Sequence, residues 1–209
     1  KNSKEFIMKV DIQDVLFWMD AIRNSEDKLR TLESFWKGQV NSKIWLIEQL
    51  QKILNAQQSK TTVVIHGGWN GVLSSLLFNS NINVKHITSV DIDPLCEEIA
   101  NTINKQQEID GKFTAVTADM CTHVYDAQVV INTSCEHITQ IQYNQWLLNV
   151  PDDSYIVLQS NNFFDLEEHI RCATSIDDFV KMSNIQVLYK GELQTPKYNR
   201  YMIIGKPNV

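Results

Sequence analysis

The chain has 209 residues, of which 43% are hydrophobic and 21% are charged, a composition that suits one globular domain with a substantial core. Its formal net charge of -6 disfavours nucleic acid as a partner, because phosphate binding needs clustered Lys and Arg. No apolar run approaches the ~18 residues that indicate a membrane span, and no leader sequence opens the chain, so we expect a cytoplasmic protein with no membrane partner.

The cysteines give no sign of a metal site or of disulfides. Cys96, Cys121, Cys135 and Cys172 lie far apart and form no C-x-x-C pair, so neither a zinc site nor a small disulfide framework is indicated. Reduced thiols fit a cytoplasmic protein best. We therefore predict no metal ligand among the residues of the site.

The first part of the chain is predicted to be helical. From Asp11 to Ala56 the apolar residues recur at helical spacing and fall into three groups, which indicates three helices. The segment AQQSK, Ala56 to Lys60, is the expected joint with the rest of the chain. We expect the three helices to pack near the carboxyl ends of the following strands and to complete a substrate pocket.

From Thr61 onward, β-rich and helical segments alternate. The predicted strands are TTVVIHG, HITSVDI, KFTAVTA, AQVVINT, SYIVLQS, IQVLYKG and RYMIIGK. Alternation of this kind predicts an α/β fold whose sheet is mostly parallel, with helices on both faces. Only Thr195 to Tyr198 separate the last two strands, too few residues for a parallel crossover, so these two should pair antiparallel.

Capping signals mark the starts of several predicted helices. Asp93 followed by Pro94 can cap a helix with proline at its first position. Thr139 to Gln142 and Asp165 to Glu168 both have the spacing of a capping box. His169 would then lie in a helix at the surface.

The stretch VVIHGGWNGVLSSLLF, Val63 to Phe78, reads as a strand, a glycine turn and a helix. A dinucleotide-binding turn has the spacing G-x-G-x-x-G, which Gly67, Gly68 and Gly71 do not follow. Asp91, ~20 residues beyond the turn and at the end of HITSVDI, could accept hydrogen bonds from ribose hydroxyls. The pattern disfavours a dinucleotide without excluding it, and it is compatible with a nucleoside that lacks a pyrophosphate.

The glycine turn is followed in order by VDIDP, TADM, INTSCEHI and the closing hairpin. In this series of motifs, the chain from about Thr61 onward resembles the class I S-adenosylmethionine-dependent methyltransferases. The resemblance implies a Rossmann-like fold, with residues 60–209 as the methyltransferase domain and residues 1–59 as an N-terminal helical extension. It also implies S-adenosyl-L-methionine as cofactor. The implied cofactor-binding residues are Gly67, Gly68 and Gly71 for the methionine part, Asp91 for the ribose, Asp119 and Met120 for the adenine, and Asn132 at the junction with the substrate.

Two residues depart from the pattern of that family. Ile65 stands where an acidic residue usually precedes the first glycine, and Trp69 replaces the usual middle glycine. The first departure weakens the expected contact to the cofactor amino group. We expect the indole of Trp69 to turn away from the cofactor and pack against the N-terminal helices.

Methyl transfer needs the nucleophile, methyl carbon and leaving sulfur held in line, which is mainly a problem of orientation. If the acceptor is a neutral amine or hydroxyl, a base helps, and Glu136, His137 or His169 could serve, with Glu136 and His137 as the catalytic candidates. Asn161 and Asn162 at a strand end are candidate substrate ligands. Each of these side chains could also be structural.

Three functions remain open on the sequence. The first is an S-adenosylmethionine-dependent methyltransferase acting on a small-molecule substrate, with a protein substrate possible. The second is a nicotinamide-dependent oxidoreductase on a related fold, against which the broken glycine spacing counts. The third is a catalytically silent S-adenosylmethionine-binding protein, which Ile65 and Trp69 leave open.

Overall fold

The structure is a computed structural model that describes residues 7–54 and 60–208. Its α-helices are α1 (Ile12–Asn24), α2 (Lys28–Glu33), α3 (Lys37–Leu54), α4 (Val72–Phe78), α5 (Leu95–Ile103), α6 (Lys105–Ile109), α7 (Gln140–Leu147) and α8 (Ile176–Ser183). Its strands are β1 (Thr61–His66), β2 (Val84–Asp91), β3 (Phe113–Thr117), β4 (Val129–Asn132), β5 (Tyr155–Asn161), β6 (Ile185–Gln194) and β7 (Asn199–Pro207). No helix within these ranges is both long and apolar enough to cross a membrane.

The seven strands form one sheet in the order β3-β2-β1-β4-β5-β7-β6. The first five strands pair in parallel, whereas β7 pairs antiparallel with both β5 and β6. The predicted parallel sheet with a closing antiparallel hairpin is thus confirmed. Because β1 lies between β2 and β4, the connection after β1 runs toward β2 on one side, and the connection after β4 runs toward β5 on the other. Sheets of this kind bind ligands in the crevice that opens at the carboxyl ends of such strands.

Helices cover both faces of the sheet, as predicted. Successive residues of a strand point to opposite faces, so Val63 and Ile65 join one core cluster while Val64 joins the other. The first cluster also contains buried side chains of α1, α3, α4 and α5, and the second contains those of α7 and α8. Both faces of β1 are therefore buried, which explains its nearly continuous apolar sequence.

The three predicted N-terminal helices are present as α1, α2 and α3. Leu46, Ile47 and Leu50 of α3 belong to the same core cluster as the strands, and Ser42 Oγ donates to Gln159 Oε1 of β5 at 3.1 Å. These helices are therefore integrated with the sheet by a shared core. The predicted joint at Ala56 to Lys60 falls outside the described residues except for Lys60.

One of the two predicted capping boxes forms. The side chains of Thr139 and Gln142 cap the start of α7 reciprocally, whereas residues 165–168 form turns and the predicted helix there is wrong. Side chains hold this segment in a different path: Asn161 Oδ1 accepts from Phe163 N at 2.8 Å, and His169 Nδ1 lies 2.7 Å from Phe163 O. Local side-chain bonds to the backbone compete with helix formation in this way.

Candidate functional site

The turn between β1 and α4 packs closely against the rest of the protein. Gly67 and Gly71 have φ angles of 64° and 76°, in the left-handed region that glycine adopts most readily. A Cβ on Gly67 would overlap the side chain of Ser134, and one on Gly68 would overlap Ser89. A Cβ on Gly71 would lie 2.9 Å from Ala100 Cβ. The three glycines thus allow the turn to approach neighbouring side chains.

Trp69 is the unusual residue of this turn. Its φ of 49° is left-handed, a conformation that costs a non-glycine residue roughly 1–3 kcal/mol. It is half-buried and lines the larger of the two cavities described below, and it is absent from the partly buried apolar side chains packed on either core cluster. The structure therefore does not support the prediction that its indole turns away from the site to pack on the N-terminal helices.

Asp91 joins the end of β2 to the glycine turn. Its Oδ2 accepts from Trp69 N at 2.8 Å and its Oδ1 accepts from Asp93 N at 3.1 Å. The side chain is half-buried. Since each carboxylate oxygen can accept more than one hydrogen bond, both oxygens keep acceptor capacity for a ligand. Asp91 therefore holds the turn in place and can still meet the hydroxyls of a nucleoside.

Asp93, two residues later, accepts a backbone hydrogen bond at the start of α5 as predicted, although the N-cap residue itself is Pro94, one position later than expected. Its Oδ1 accepts from Leu95 N at 3.0 Å, and its Oδ2 lies 2.6 Å from Arg30 Nη2 of α2. The hydrogen bond from Leu95, followed by the Arg30 guanidinium, lowers the pKa of Asp93 below its usual range. Asp93 thus stabilises the start of α5 and also ties α2 to it.

A cavity of about 420 Å³ lies beside the ends of β2, β3 and β4. Its lining includes the predicted residues Gly67, Asp91, Asp119 and Met120. Asp119 is exposed, and its Oδ1 accepts from Cys121 N at 2.8 Å. The structure therefore brings these four predicted cofactor residues to one cavity.

Asn132 has a supporting position behind that cavity. It is fully buried, its Oδ1 accepts from Ser134 N at 3.0 Å, and its Nδ2 lies 3.4 Å from Met120 Sδ. Ser134 and Met120 line the cavity, whereas Asn132 does not. The amide of Asn132 thus positions two lining residues, and its predicted direct contact with the cofactor stays a prediction.

A second cavity, of about 530 Å³, adjoins the first. Gly67, Ser134 and His137 line both cavities. The N-terminal helices contribute to the wall of the larger one; these lining residues are Arg30, Ser34, Gln39, Ser42 and Lys43. The helices therefore lie where the sequence predicted, against the carboxyl ends of the strands.

Glu136 is the central buried charge of the larger cavity. Its Oε1 accepts from Asn161 Nδ2 at 2.7 Å and from Arg200 Nη1 at 2.9 Å. Arg200 also donates through Nη2 to Thr133 O at 2.8 Å. Glu136 Oε2 and Arg200 Nε are buried without a partner in the described part of the chain. The structure brings together Glu136, a catalytic candidate, and Asn161, a candidate substrate ligand, and each lines the cavity.

Arg200 and Asn162 have different roles at this end of the sheet. Arg200 belongs to β7, which lies between β5 and β6, and it forms the buried ion pair with Glu136. Both Tyr198 and Arg200 line the larger cavity. Asn162 instead joins two backbones, accepting from Asn199 N at 2.8 Å through Oδ1, and it does not line either cavity.

His137 and His169 meet at the wall of the larger cavity. Their ring centroids are 4.8 Å apart, and the rings are nearly perpendicular at 79°. His169 also contacts the ring of Phe163 and is half-buried, so its prediction as a surface helical residue is wrong. No local sequence pattern predicts the contact between His137 and His169, because it forms only when the loop after β5 folds back onto the turn that follows β4.

Lys43 of α3 is a lining residue that sequence reasoning missed. Its Nζ donates to Gln39 Oε1 at 3.1 Å. Burial, and secondarily the positive charge of Arg200, lowers the pKa of Lys43 from 10.5 to about 7. The amine can therefore exchange a proton near neutral pH. In the sequence it is one polar residue of an amphipathic helix, with no motif around it.

Comparisons with known proteins place the fold. The sequence matches no protein-family model and no curated protein. Among solved structures, magnesium protoporphyrin IX methyltransferase (ChlM) from Synechocystis PCC 6803 with bound SAH aligns with a TM-score of 0.63 and 13% identity, over 94% of this chain and 95% of that one. N-methyltransferase NodS from Bradyrhizobium japonicum WM9 aligns with a TM-score of 0.59 and 11% identity, over 78% and 94%.

A third structure, MtNAS in complex with MTA and tNA, aligns with a TM-score of 0.58 and 15% identity, over 94% of this chain and 70% of that one. The chain has the fold of the class I S-adenosylmethionine-dependent methyltransferases. Within this class I methyltransferase fold, the two adjoining cavities lie at the carboxyl edge of the parallel strands, on either side of Gly67 and Ser134.

Proposed function

We propose that the protein is an S-adenosylmethionine-dependent methyltransferase that methylates a small-molecule acceptor by in-line transfer. The observation that carries this proposal is the pair of adjoining cavities that share Gly67 and Ser134. Asp91 marks one end of the combined cleft and Glu136 the other. Residues 60–209 would be the methyltransferase domain, and residues 1–59 the helical extension that helps to close the acceptor side.

The smaller cavity suits the nucleoside part of the cofactor. Asp91 offers carboxylate lone pairs to ribose hydroxyls, since its present partners are two backbone N–H groups. Val90, Met120 and Ile138 provide apolar wall against which an adenine ring can pack. Ligand sites of this type combine mostly apolar walls with a few polar groups that fix orientation.

The larger cavity suits a small, polar acceptor. Its volume of about 530 Å³ lies within the range of roughly 300–1,000 Å³ that is usual for small-molecule sites. Charged groups from α3 and β7, Lys43 and Arg200, face it beside the buried Glu136. A protein substrate would have to insert a single side chain past the N-terminal helices, which makes a small molecule the simpler occupant.

The protein's own part in the reaction is to orient the acceptor and to accept the proton that the acceptor releases. When bound, S-adenosylmethionine supplies a methyl group already activated on its sulfur. Glu136 is fixed by Asn161 and Arg200, so its free Oε2 can hold an acceptor N–H or O–H in one direction. His137 lines both cavities and can take up the proton that such an acceptor releases. Lys43 is a second candidate base.

We also propose a reducing compartment such as the cytoplasm. All four cysteines, Cys96, Cys121, Cys135 and Cys172, are free, and disulfides are characteristic of oxidising compartments. Burial raises the pKa of the Cys135 thiol to about 12, which keeps it protonated and unreactive.

The proposed function can be tested in two steps with the full chain. Calorimetric titration should show binding of S-adenosylmethionine and of its demethylated product, and no binding of a nicotinamide dinucleotide. Incubation with S-adenosylmethionine carrying a labelled methyl group and a mixture of small amines, carboxylates and phenols should then give a labelled small molecule. Binding without transfer to any acceptor would favour the silent cofactor-binding protein, and binding of the dinucleotide alone would favour the oxidoreductase.

A further inference from the structure

Three potential metal ligands meet at the wall of the larger cavity. Glu136 and His137 belong to the 3-10 turn after β4 (Cys135–His137), and His169 comes from the loop between β5 and α8. One ligand atom from each of the three residues lies within 4.8 Å of the others. All three residues line the larger cavity, so an ion bound by them would be accessible from it.

The hydrogen bonds of the two histidines fix which nitrogen is available. His137 Nδ1 lies 3.2 Å from Glu168 O, and His169 Nδ1 lies 2.7 Å from Phe163 O. A backbone carbonyl can only accept, so each Nδ1 carries the hydrogen and each neutral ring has its lone pair on Nε2. Histidines that bind metals usually donate their other N–H to a carbonyl or carboxylate in this manner.

The carboxylate of Glu136, like each imidazole, has one atom fixed by hydrogen bonds and another without a partner in the described part of the chain. Its Oε1 is occupied by Asn161 and Arg200, whereas Oε2 is buried without a partner among the described residues. Leaving a buried acceptor unpaired costs about 1–3 kcal/mol, and more for a charged group. One potential ligand atom of each residue lies within 4.8 Å of the others, and a cation bound among them could supply the partner that Glu136 Oε2 lacks.

We propose that Glu136, His137 and His169 bind a divalent transition-metal ion such as Zn²⁺. Two imidazoles and one carboxylate form a recurring set for ions of this kind, whereas Mg²⁺ and Ca²⁺ prefer oxygen ligands alone. Zinc ligands lie about 2.0–2.2 Å from the ion, so the three side chains would close slightly around it. The positive charge of Arg200 opposes the ion, and we expect weaker binding than at a closed structural zinc site.

With three protein ligands, such an ion keeps a position open toward the cavity. An acceptor bearing a hydroxyl, carboxylate or amine could occupy that position, and the ion would lower the pKa of a bound hydroxyl. This consequence rests on the proposed function and narrows the acceptor to molecules that coordinate a metal. With Glu136 and His137 bound to the ion, the ion would replace them in orienting the acceptor, and Lys43 would be the remaining base. The metal site itself does not depend on methyl transfer.

The test is calorimetric titration of ZnCl₂ into the metal-free full chain. We expect one ion per chain, with affinity reduced at least ~10-fold in His169→Ala and in His137→Gln, because even the loss of a supporting contact costs about 10–100-fold. The double variant of His137→Ala and His169→Ala should show no binding at this site. His86→Ala is the matched control, because it removes an imidazole that lines neither cavity, and it should bind like the wild type.

Co²⁺ serves as a second probe, since its absorption spectrum distinguishes nitrogen and oxygen ligands from thiolates. We expect visible bands without thiolate charge transfer, which separates the proposed site from Cys172 nearby. Circular dichroism of each variant checks that it is folded. Absence of stoichiometric binding to the wild type, or unchanged binding to the folded double variant, would overturn the proposal.

A parallel titration with S-adenosylmethionine distinguishes this inference from the proposed function. If the wild type binds S-adenosylmethionine but not zinc, the metal site alone would be contradicted. Zinc binding without cofactor binding would count against the methyltransferase function alone.

Discussion

The two ends of the cleft are built differently. At the end beside β2 and β3, Asp91 and Asp119 accept hydrogen bonds from backbone N–H groups of nearby turns. At the other end, Glu136 is bound by side chains from two other strands, those of Asn161 and Arg200. The first end is an arrangement of backbone turns, whereas the second depends on charged side chains that come together from separate elements. We infer that the choice of acceptor is made at the second end.

The largest effect is expected from breaking the buried ion pair. Side-chain exposure is 11% for Arg200 and 3% for Glu136, so Arg200→Met leaves a buried carboxylate uncompensated. Removing one partner of a buried pair costs about 3–5 kcal/mol of stability, measurable by urea unfolding. Lys52→Met is the control, because its pair with Glu48 is exposed at 58% and 39% and should contribute below ~1 kcal/mol. Equal effects of the two variants would show that the buried pair of Glu136 and Arg200 contributes no more to stability than an exposed pair.

Asp91 tests the other end of the cleft. Charge-assisted hydrogen bonds to ribose hydroxyls contribute roughly 1.5–3 kcal/mol, so Asp91→Ala should weaken S-adenosylmethionine binding about 10- to 100-fold. Asp93→Ala should instead cost about 1 kcal/mol of folding stability through the lost hydrogen bond at the start of α5, with a smaller effect on affinity. Calorimetric titration and urea unfolding of both variants separate these outcomes. If Asp91→Ala lost stability alone, the carboxylate would serve only to hold Trp69 and Asp93.

Lys43 should make the stability of the fold depend on pH in a distinctive way. Its pKa is lowered from 10.5 to about 7 in the folded state, so between these values the unfolded chain binds the proton more strongly. Lys43 therefore destabilises the fold fully below pH ~7, and this effect disappears as the pH rises toward 10.5. Lys43→Met should be more stable than the wild type at pH 6, with the difference shrinking toward pH 10. A difference that is independent of pH would show that Lys43 is not desolvated.

The smallest effect is expected at Trp69. Glycine would relieve the left-handed φ of 49°, while the half-buried indole contributes to neither core cluster. Relief of the backbone strain is offset by the greater conformational entropy that glycine loses on folding and by the lost burial of the indole, so Trp69→Gly should change the free energy of unfolding by no more than ~1 kcal/mol. Thermal unfolding measures this change. A large destabilisation would mean that the indole is packed as the sequence first suggested.

Sequence reasoning was successful where contacts are local or follow the periodicity of an element. The seven strands, the antiparallel hairpin and the hydrogen bond of Asp93 at the start of α5 all depend on nearby residues, and each was predicted. Arg200 and Glu136 lie 64 positions apart, and only the order of β4, β5 and β7 in the sheet brings them together. His169 was misplaced for a related reason, since its position depends on the contact of its loop with Phe163 and His137.

The central claim is that the cleft between Asp91 and Glu136 binds S-adenosylmethionine, and a crystal structure with its demethylated product tests it most directly. We predict density for the ribose at Asp91, for the adenine beside Met120 and for the sulfur near Gly67, with the larger cavity left open to the acceptor. Density for the product at another surface, or none at millimolar concentration while a nicotinamide dinucleotide occupies the cleft, would contradict the account.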